Sequence, residues 1–453
     1  MNKNQSILSD DNVGRLLVKL STPAMIGMIV MSMYNVVDTI FVGRGVGTLG
    51  IAGVAVVFPI QMIVGAIGQL FGIGGASLLS RSLGEGNIAR ADKTLNNVFN
   101  MVIIVGVTIA VIGYAQMSNL LALFGATDEI MPYARDYMVF IIGGLAFQSL
   151  SMALNNIVRA EGHAKVAMYS MVIPAVTNII LDAVFIFGFD MGISGAALAT
   201  LISYIIGSVV LISFFFTGKS VLTVYFKLDF DRKILYEIFT IGVSSFIRQT
   251  AMSLLVIIIN NKLALYGGNI AIAVYGVVMK LVMLIFTPIL GIAQGLQPIV
   301  GFNYGAGNMA KMKKSLKLAV IYATVLALAG TLVIMIFPSV FIRLFSDDPE
   351  LIEQTKTALR FLLITFPTVG FQIVGTTLFQ ATGKASQTLL LSMSRQILFL
   401  IPLMLFLPDY FALTGVWVSF PIADSLAALL TLYMVLKYKK LYNETAIKVQ
   451  DGN

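Results

Sequence analysis

GTLGIAGVAVV at residues 47–57 returns 221 positions later as GGNIAIAVYGVV, which starts at Gly267 and is one residue longer. The same shift sets Gly84, Gly86 and Asn87 over Gly305, Gly307 and Asn308, and Phe124 over Phe345. It also sets the RAEG ending at Gly162 over the QATG ending at Gly383, and a shift of 220 lays GISGAALAT (192–200) over ALTGVWVSF (412–420). The chain is therefore an internal duplication, and the fold of one half is the fold of the other.

Composition says which solvent that fold meets. Of 453 residues 58% are hydrophobic and 11% charged, at a mean hydropathy of +0.91, whereas soluble domains carry about 25% charged residues. Thirty Lys and Arg with 22 Asp and Glu are too few to cover a soluble chain of this length, so most of the surface faces the lipid bilayer. The absence of cysteine and the single His163 exclude disulfides, thiol nucleophiles, thiolate zinc sites and a histidine cluster. No GxxxxGK[ST] occurs, so no nucleotide-driven chemistry is indicated. The net charge of +8 reflects membrane topology and not a nucleic-acid partner, and no cofactor is expected.

A membrane helix needs about 20 mostly apolar residues. Twelve runs qualify, at 16–42, 50–80, 95–117, 133–158, 166–188, 193–216, 234–266, 270–302, 315–338, 354–380, 385–407 and 411–437. They lack the period-two alternation of barrel strands, so the fold class is an all-α integral membrane bundle. Six spans return the chain to its starting side. The two six-helix lobes, 1–216 and 234–453, are thus expected to share orientation about a pseudo-twofold axis along the membrane normal, joined by a cytoplasmic linker at 217–233 (TGKSVLTVYFKLDFDRK).

The polar start (MNKNQSILSDDNVGR, 1–15) lacks the pattern of a cleaved signal. Lys3, Arg81, Arg90, Lys93, Arg159, Lys165, Lys311, Lys313, Lys314, Lys317 and Lys448 fall in breaks on one side, against Arg44, Arg135, Lys262, Arg343 and Lys356 on the other. That bias predicts a multi-pass protein of the inner (plasma) membrane with both termini cytoplasmic. The basic runs are read as topology determinants ahead of lipid-headgroup sites.

Ionisable groups inside spans are costly, about 2.5 to 3.5 kcal/mol for Asp on insertion scales. Asp38 lies late in the first span (MYNVVDTIFVGR), and Asp182 in the fifth (TNIILDAVFIFGFD), one helical turn from Asn178; Thr200 offers a hydroxyl from the sixth. Interhelical hydrogen bonding, worth roughly 0.6 kcal/mol, suffices for Asn178 or Thr200 alone. The two aspartates resist that account. An oxygen cluster of this kind suits a hard monovalent cation, Na+, or an H+ shared between carboxylates.

Pro23, followed by Gly27, either bends the first helix, as a hinge would, or starts it. Met31, Tyr34, Gln69, Met152, Met279, Met283, Gln294 and Gln372, with Lys280, are candidates for an adaptable substrate cavity. The second half has no carboxylates at the matching depths but carries Arg248, Lys280, Arg395 and Asp424 within spans. Pairing of Asp424 with one of these cations is the simplest account of it, and Lys280 with Arg395 could instead hold an anionic substrate group. His163, between Glu161 and Lys165, reads as part of a solvated turn.

GLQPIVGFNYGAGN (295–308), GGASLLSRSLGEGN (74–87), the RAEG and QATG turns, and NIILDAVFIFGF (178–189) followed by GISGAALAT together resemble the multidrug and toxic compound extrusion (MATE) family over nearly the whole chain. Asp38 with Asn178, Asp182 and Thr200 resembles its DinF-like branch, which is proposed to couple through the N-terminal lobe. The NorM-like branch is thought to use acids of the C-terminal lobe; here the corresponding spans offer Arg248 and Gln372 and no midspan acid. The resemblance implies a secondary antiporter, not an enzyme, that exports small amphipathic organic cations in exchange for Na+ or H+ by alternating access; a monomer is the working expectation, which the sequence leaves open. A lipid-linked oligosaccharide flippase of the same superfamily is the alternative, holding pyrophosphate on Arg248, Lys280 and Arg395. A membrane enzyme lacks a catalytic cluster, and a channel would need a symmetric ring of charges.

Overall fold

Backbone N–H and C=O groups in lipid must be satisfied within the segment, and the apolar runs accordingly fold as helices. The computed structural model describes Leu8, residues 10–225 and residues 227–450, the side chains of residues 253 and 439–450 excepted. Lys3, with most of the polar stretch before Asp10, and the side chain of Lys448 thus lie outside the described residues.

The first lobe comprises α1 (Val13–Gly45), α2 (Thr48–Gly84), α3 (Ile88–Ala115), the short α4 (Met117–Leu123), α5 (Met131–Ala160), α6 (Ala164–Asp182) with a π-helical turn at Ala183–Gly188, and α7 (Gly192–Phe216). The second comprises α8 (Arg232–Gly305), α9 (Met309–Ile336), the short α10 (Pro338–Ile342), α11 (Pro349–Ile364), α12 (Pro367–Ala381), α13 (Ala385–Met393) with a π-helical stretch at Ser394–Leu400, and α14 (Ile401–Gln450). α8 is two spans, broken at Gly268, and α14 breaks at Ala412, its first part completing the span begun by α13 and its remainder forming the last span; at both breaks the backbone leaves helical geometry. α11 and α12 form one span bent by 45°, at the site where Pro367 cannot donate to the preceding turn. Counted so, the described residues hold the twelve expected spans, the last helix running on to Gln450 well beyond its apolar run.

The duplication is visible in the backbone itself. Left-handed residues recur at equivalent positions: Gly47 (φ 89°) and Gly268 (63°), Gly86 (74°) and Gly307 (70°), Gly162 (99°) and Gly383 (75°). At the shift of 220, Gly192 (58°) answers to Ala412 (50°), so the second lobe holds an alanine where the first uses the residue that tolerates this conformation without strain. An even number of spans places both ends of the described chain on one face, called here the terminal face.

The connection at 217–225 and 227–231 is not loose. Leu222 and Val224 are buried in the first lobe while Thr223 and Tyr225 point out, the alternation of an extended strand. A polar stripe on α3 holds its backbone: Asp92 accepts from Thr223 N–H (2.8 Å), Asn96 accepts from Tyr225 N–H (2.6 Å) and donates to Thr223 C=O (2.8 Å), Asn97 accepts from Asp231 N–H (3.0 Å), and Asn100 donates to Lys227 C=O (2.9 Å).

This strap corrects the reading of the Glu161–His163 turn as solvated. Glu161 is 3% exposed and accepts from Ser220 Oγ (2.9 Å) and Val221 N–H (2.6 Å). His163 packs its ring on Phe214 at 4.8 Å, with Nε2 buried. Loss of hydration raises the Glu161 carboxyl to about 7, opposed by its hydrogen bonds to Val221 and Ser220, and holds the imidazole below its usual range.

Candidate functional site

α1, α6 and α7 meet in the half of the first lobe away from the terminal face. Glycines allow the approach: a Cβ at Gly27 would stand 2.9 Å from Met171 Sδ, and one at Gly45 would strike Ile186. Into this junction α1 turns Asp38 (9% exposed) and α6 turns Asn178 and Asp182 (both 0%). The Asp38 and Asp182 carboxyl groups lie close enough at this junction to interact directly. Two carboxyl groups so placed do not readily ionise together, which favours a proton or a cation between them. The Asn178 amide is oriented to donate to Asp182 Oδ2 (2.9 Å) and to accept from Thr200 N–H (3.2 Å), because the opposite orientation sets its oxygen against acceptors. Oδ1 of Asp38 and Oδ1 of Asp182 are buried with no hydrogen-bond partner among the described residues, a costly condition that an incoming cation or proton would relieve.

Asp182 ends the regular part of α6, and the π-helical turn begins at the next residue; such turns reopen the backbone ladder and are frequent at functional sites. Three tyrosines complete the pocket. Tyr34, Tyr137 and Tyr204 all lie close enough to feel the charge of Asp38; Tyr137 is also near Thr200, and Tyr204 receives a bond from Gln61 Nε2 at 3.2 Å. Of these only Tyr34 was a sequence candidate. Tyr204 lies four residues after Thr200 on the same helical face, a spacing that could have drawn attention to it.

The cavity candidates disperse. Met31 and Tyr34 are half-buried on α1 near the carboxylates, and Met152 is half-buried against Gly65 and Gly68. Gln69 accepts from Asn156 (3.2 Å), and Gln294 from Arg159. Met279 is partly buried on the core of the second lobe, whereas Met283 is 52% exposed. Lys280 is exposed, its ammonium 5.4 Å from the centre of the Phe345 ring. Gln372 is buried and donates to Asp424 C=O (2.9 Å) and Thr368 Oγ1 (3.3 Å). Pro23 lies well inside α1, so it interrupts that helix rather than starting it.

In the second lobe Arg395 Nε meets Asp424 Oδ1 at 2.5 Å, with Asp424 2% exposed. Arg395 sits in the π-helical stretch of its span, and the pair compensates the buried Asp424 charge. Arg248 is half-buried and makes no ion pair among the described residues.

The lobes meet along a seam in the terminal half of the bundle. Gly74 abuts Ile238, Gly242 abuts Leu70, Gly84 abuts Phe302, Gly295 abuts Ser21 and Gly305 abuts Arg81, each so closely that a Cβ would strike backbone. Ser77 Oγ donates to Gln380 C=O at 2.5 Å. Glu237 of α8 bridges Arg81 (2.7 Å) and Arg90 (2.8 Å) of the first lobe. Arg81 and Arg159, taken from sequence as loop cations, are in fact part of this seam: Arg159 is 4% exposed and donates to Asn155 and Gln294, because the last turn of α5 packs under α8. Farther along, Gln249 of α8 donates to Met62 Sδ of α2 at 3.9 Å.

Known proteins share this architecture. The chain is 28% identical over 427 residues to the multidrug export protein MepA of Staphylococcus haemolyticus, covering 94% of each chain. It superposes on a multidrug resistance MATE family transporter of the MOP superfamily in an outward-facing conformation, with a TM-score of 0.91, 28% identity and coverage of 98% of this chain and 99% of that one. A MATE structure in a bent conformation gives a TM-score of 0.92 at 28% identity, covering 98% of this chain and all of the other. The MatE family model matches residues 23–184 and 243–406, one segment in each lobe. The chain belongs to the MatE family.

Proposed function

We propose that this protein is a secondary multidrug efflux antiporter of the plasma membrane, in which Asp38 and Asp182 couple export of small amphipathic organic cations to inward movement of Na+ or H+. The observation that carries this reading is the contact between two buried carboxyl groups, each keeping one unpartnered oxygen. With its lobes closed at the terminal face, the bundle is taken to be open outward, both termini being cytoplasmic.

From outside, Na+ or H+ enters the junction of α1, α6 and α7 and neutralises the carboxylates, with Asn178 and Thr200 supplying polar contacts. Loss of negative charge weakens the hold on a cationic substrate, which leaves outward. The carboxylate on α1 and the hydrogen bond missing at Pro23 let that helix change shape on charging. The seam at the terminal face then parts, the ion leaves inward and fresh substrate binds. One charge crossing 100 mV supplies about 2.3 kcal/mol, enough for roughly a fiftyfold substrate gradient.

The test is dye efflux from vesicles under separately imposed Na+ and pH gradients. Asp38→Asn and Asp182→Asn are expected to abolish gradient-driven efflux while substrate still binds. Efflux undiminished in both variants overturns the coupling role.

A further inference from the structure

A cleft of about 420 Å³ opens on the terminal face between the first turn of α3 and the first turn of α8, lined by Asn87, Arg90, Lys93, Asp231, Lys233 and Glu237. A second hollow of about 430 Å³, formed by Arg232, Lys233, Tyr236, Glu237 and Thr240, shares two of these residues. Both lobes contribute to the walls of the cleft, whereas the second hollow is formed by α8 alone.

The carboxylates here are already engaged. Glu237 is held by Arg81 and Arg90, Glu85 lies 3.5 Å from Arg90, and Asp231 caps α8 by accepting from Lys233 and Ile234 N–H. Asp92, on the neighbouring turn of α3, accepts from Thr223. Lys93, Arg232 and Lys233 are exposed and make no ion pair among the described residues. Lys93 and Lys233 thus line the cleft, Arg232 stands beside it in the adjoining hollow that shares Lys233, and the N-terminal ends of two helices flank them, an arrangement that attracts an anion.

The apolar surroundings say what carries that anion. Tyr236 (73% exposed) and Phe239 (51%) continue from Lys233 and Arg232 along the outer face of α8 toward the bilayer. Interfacial aromatics below a basic cluster offer one surface to a phosphate and another to an acyl chain. We infer that this inter-lobe cleft binds the phosphate of an anionic phospholipid from the leaflet on the terminal side, with its chains along Tyr236 and Phe239. Because the cations come from both lobes, the bound lipid holds the terminal face closed beside the Glu237 bridge.

Native mass spectrometry of the purified full chain, titrated with phosphatidylglycerol or phosphatidylcholine, tests this. Neutralising a basic residue at an anionic surface weakens binding about fivefold, so Lys93→Gln/Arg232→Gln/Lys233→Gln is expected to lose roughly a hundredfold in phosphatidylglycerol affinity. The control Lys313→Gln/Lys314→Gln/Lys317→Gln removes the same charge from the same face and is expected to change affinity little. All six side chains are exposed, and a melting curve checks that each variant is folded. Equal losses in both variants would mean diffuse surface attraction and overturn the site, as would undiminished binding in the cleft variant. Inorganic phosphate that displaces phosphatidylglycerol at matching concentration would show a free-anion site and overturn the assignment to lipid.

Discussion

A methyl group at residue 242 is a direct probe of the seam. In Gly242→Ala the three atoms nearest the added Cβ are all Leu70 backbone, with the carbonyl carbon 2.7 Å and Cα 3.1 Å away and the oxygen nearer still. No rotamer change relieves a clash with backbone. Overpacking of this kind costs about 1–3 kcal/mol, and about 2 kcal/mol is roughly a thirtyfold change in an equilibrium constant. The strain falls between lobes and not within one, so parting them removes it without unfolding either. The chain has no cysteine, and Ser21→Cys places one thiol in the seam at a position 3% exposed. Labelling of that thiol by a membrane-impermeant maleimide from the terminal side is expected to rise about thirtyfold in Gly242→Ala, with little change in melting temperature. Unchanged labelling together with an unchanged melting temperature would show that the helices yield, and would refute the seam as a rigid two-position contact.

Other expectations concern stability. Asp424→Ala strands Arg395 and is expected to destabilise by about 3–5 kcal/mol, whereas Asp424→Ala/Arg395→Met recovers most of the loss, read as melting temperatures in one detergent. Glu161 titrates near 7 in the folded chain against an ordinary value of 4.5. A raised carboxyl favours the fold below its unfolded pKa, and that advantage is lost as pH rises from about 4.5 through 7, at most about 3 kcal/mol. Glu161→Gln is therefore expected to flatten the fall in melting temperature between pH 5 and pH 8. Asn96→Ala removes two strap bonds and is expected to speed proteolytic nicking near Thr223 severalfold without unfolding the lobes.

The duplication and the apolar runs announced twelve spans because lipid forces a local solution on the backbone, and locality is what a single sequence displays. Asn178 and Asp182 declared themselves by helical spacing and by the expense of a carboxylate at depth. Tyr137, Tyr204 and Gln61 did not, since a tyrosine or glutamine in a span is unremarkable until its neighbours are known. The burial of Glu161, Arg81 and Arg159 depended on a strap and a seam that join residues distant in the chain, and nothing in the turns themselves signalled it. Arg395 and Asp424 stood between: each looked anomalous, and only packing could show them as one neutral unit.

The strap over α3 bears on how the two lobes stay together. Segment 220–231 is fastened by Asp92, Asn96, Asn97, Asn100 and Glu161, so it belongs mechanically to the first lobe although it leads into the second. A chain divided at Gly218, upstream of every one of these fastenings, would leave its downstream fragment carrying its own docking peptide. Two separately synthesised fragments could then find each other and reconstitute the whole without a covalent tether.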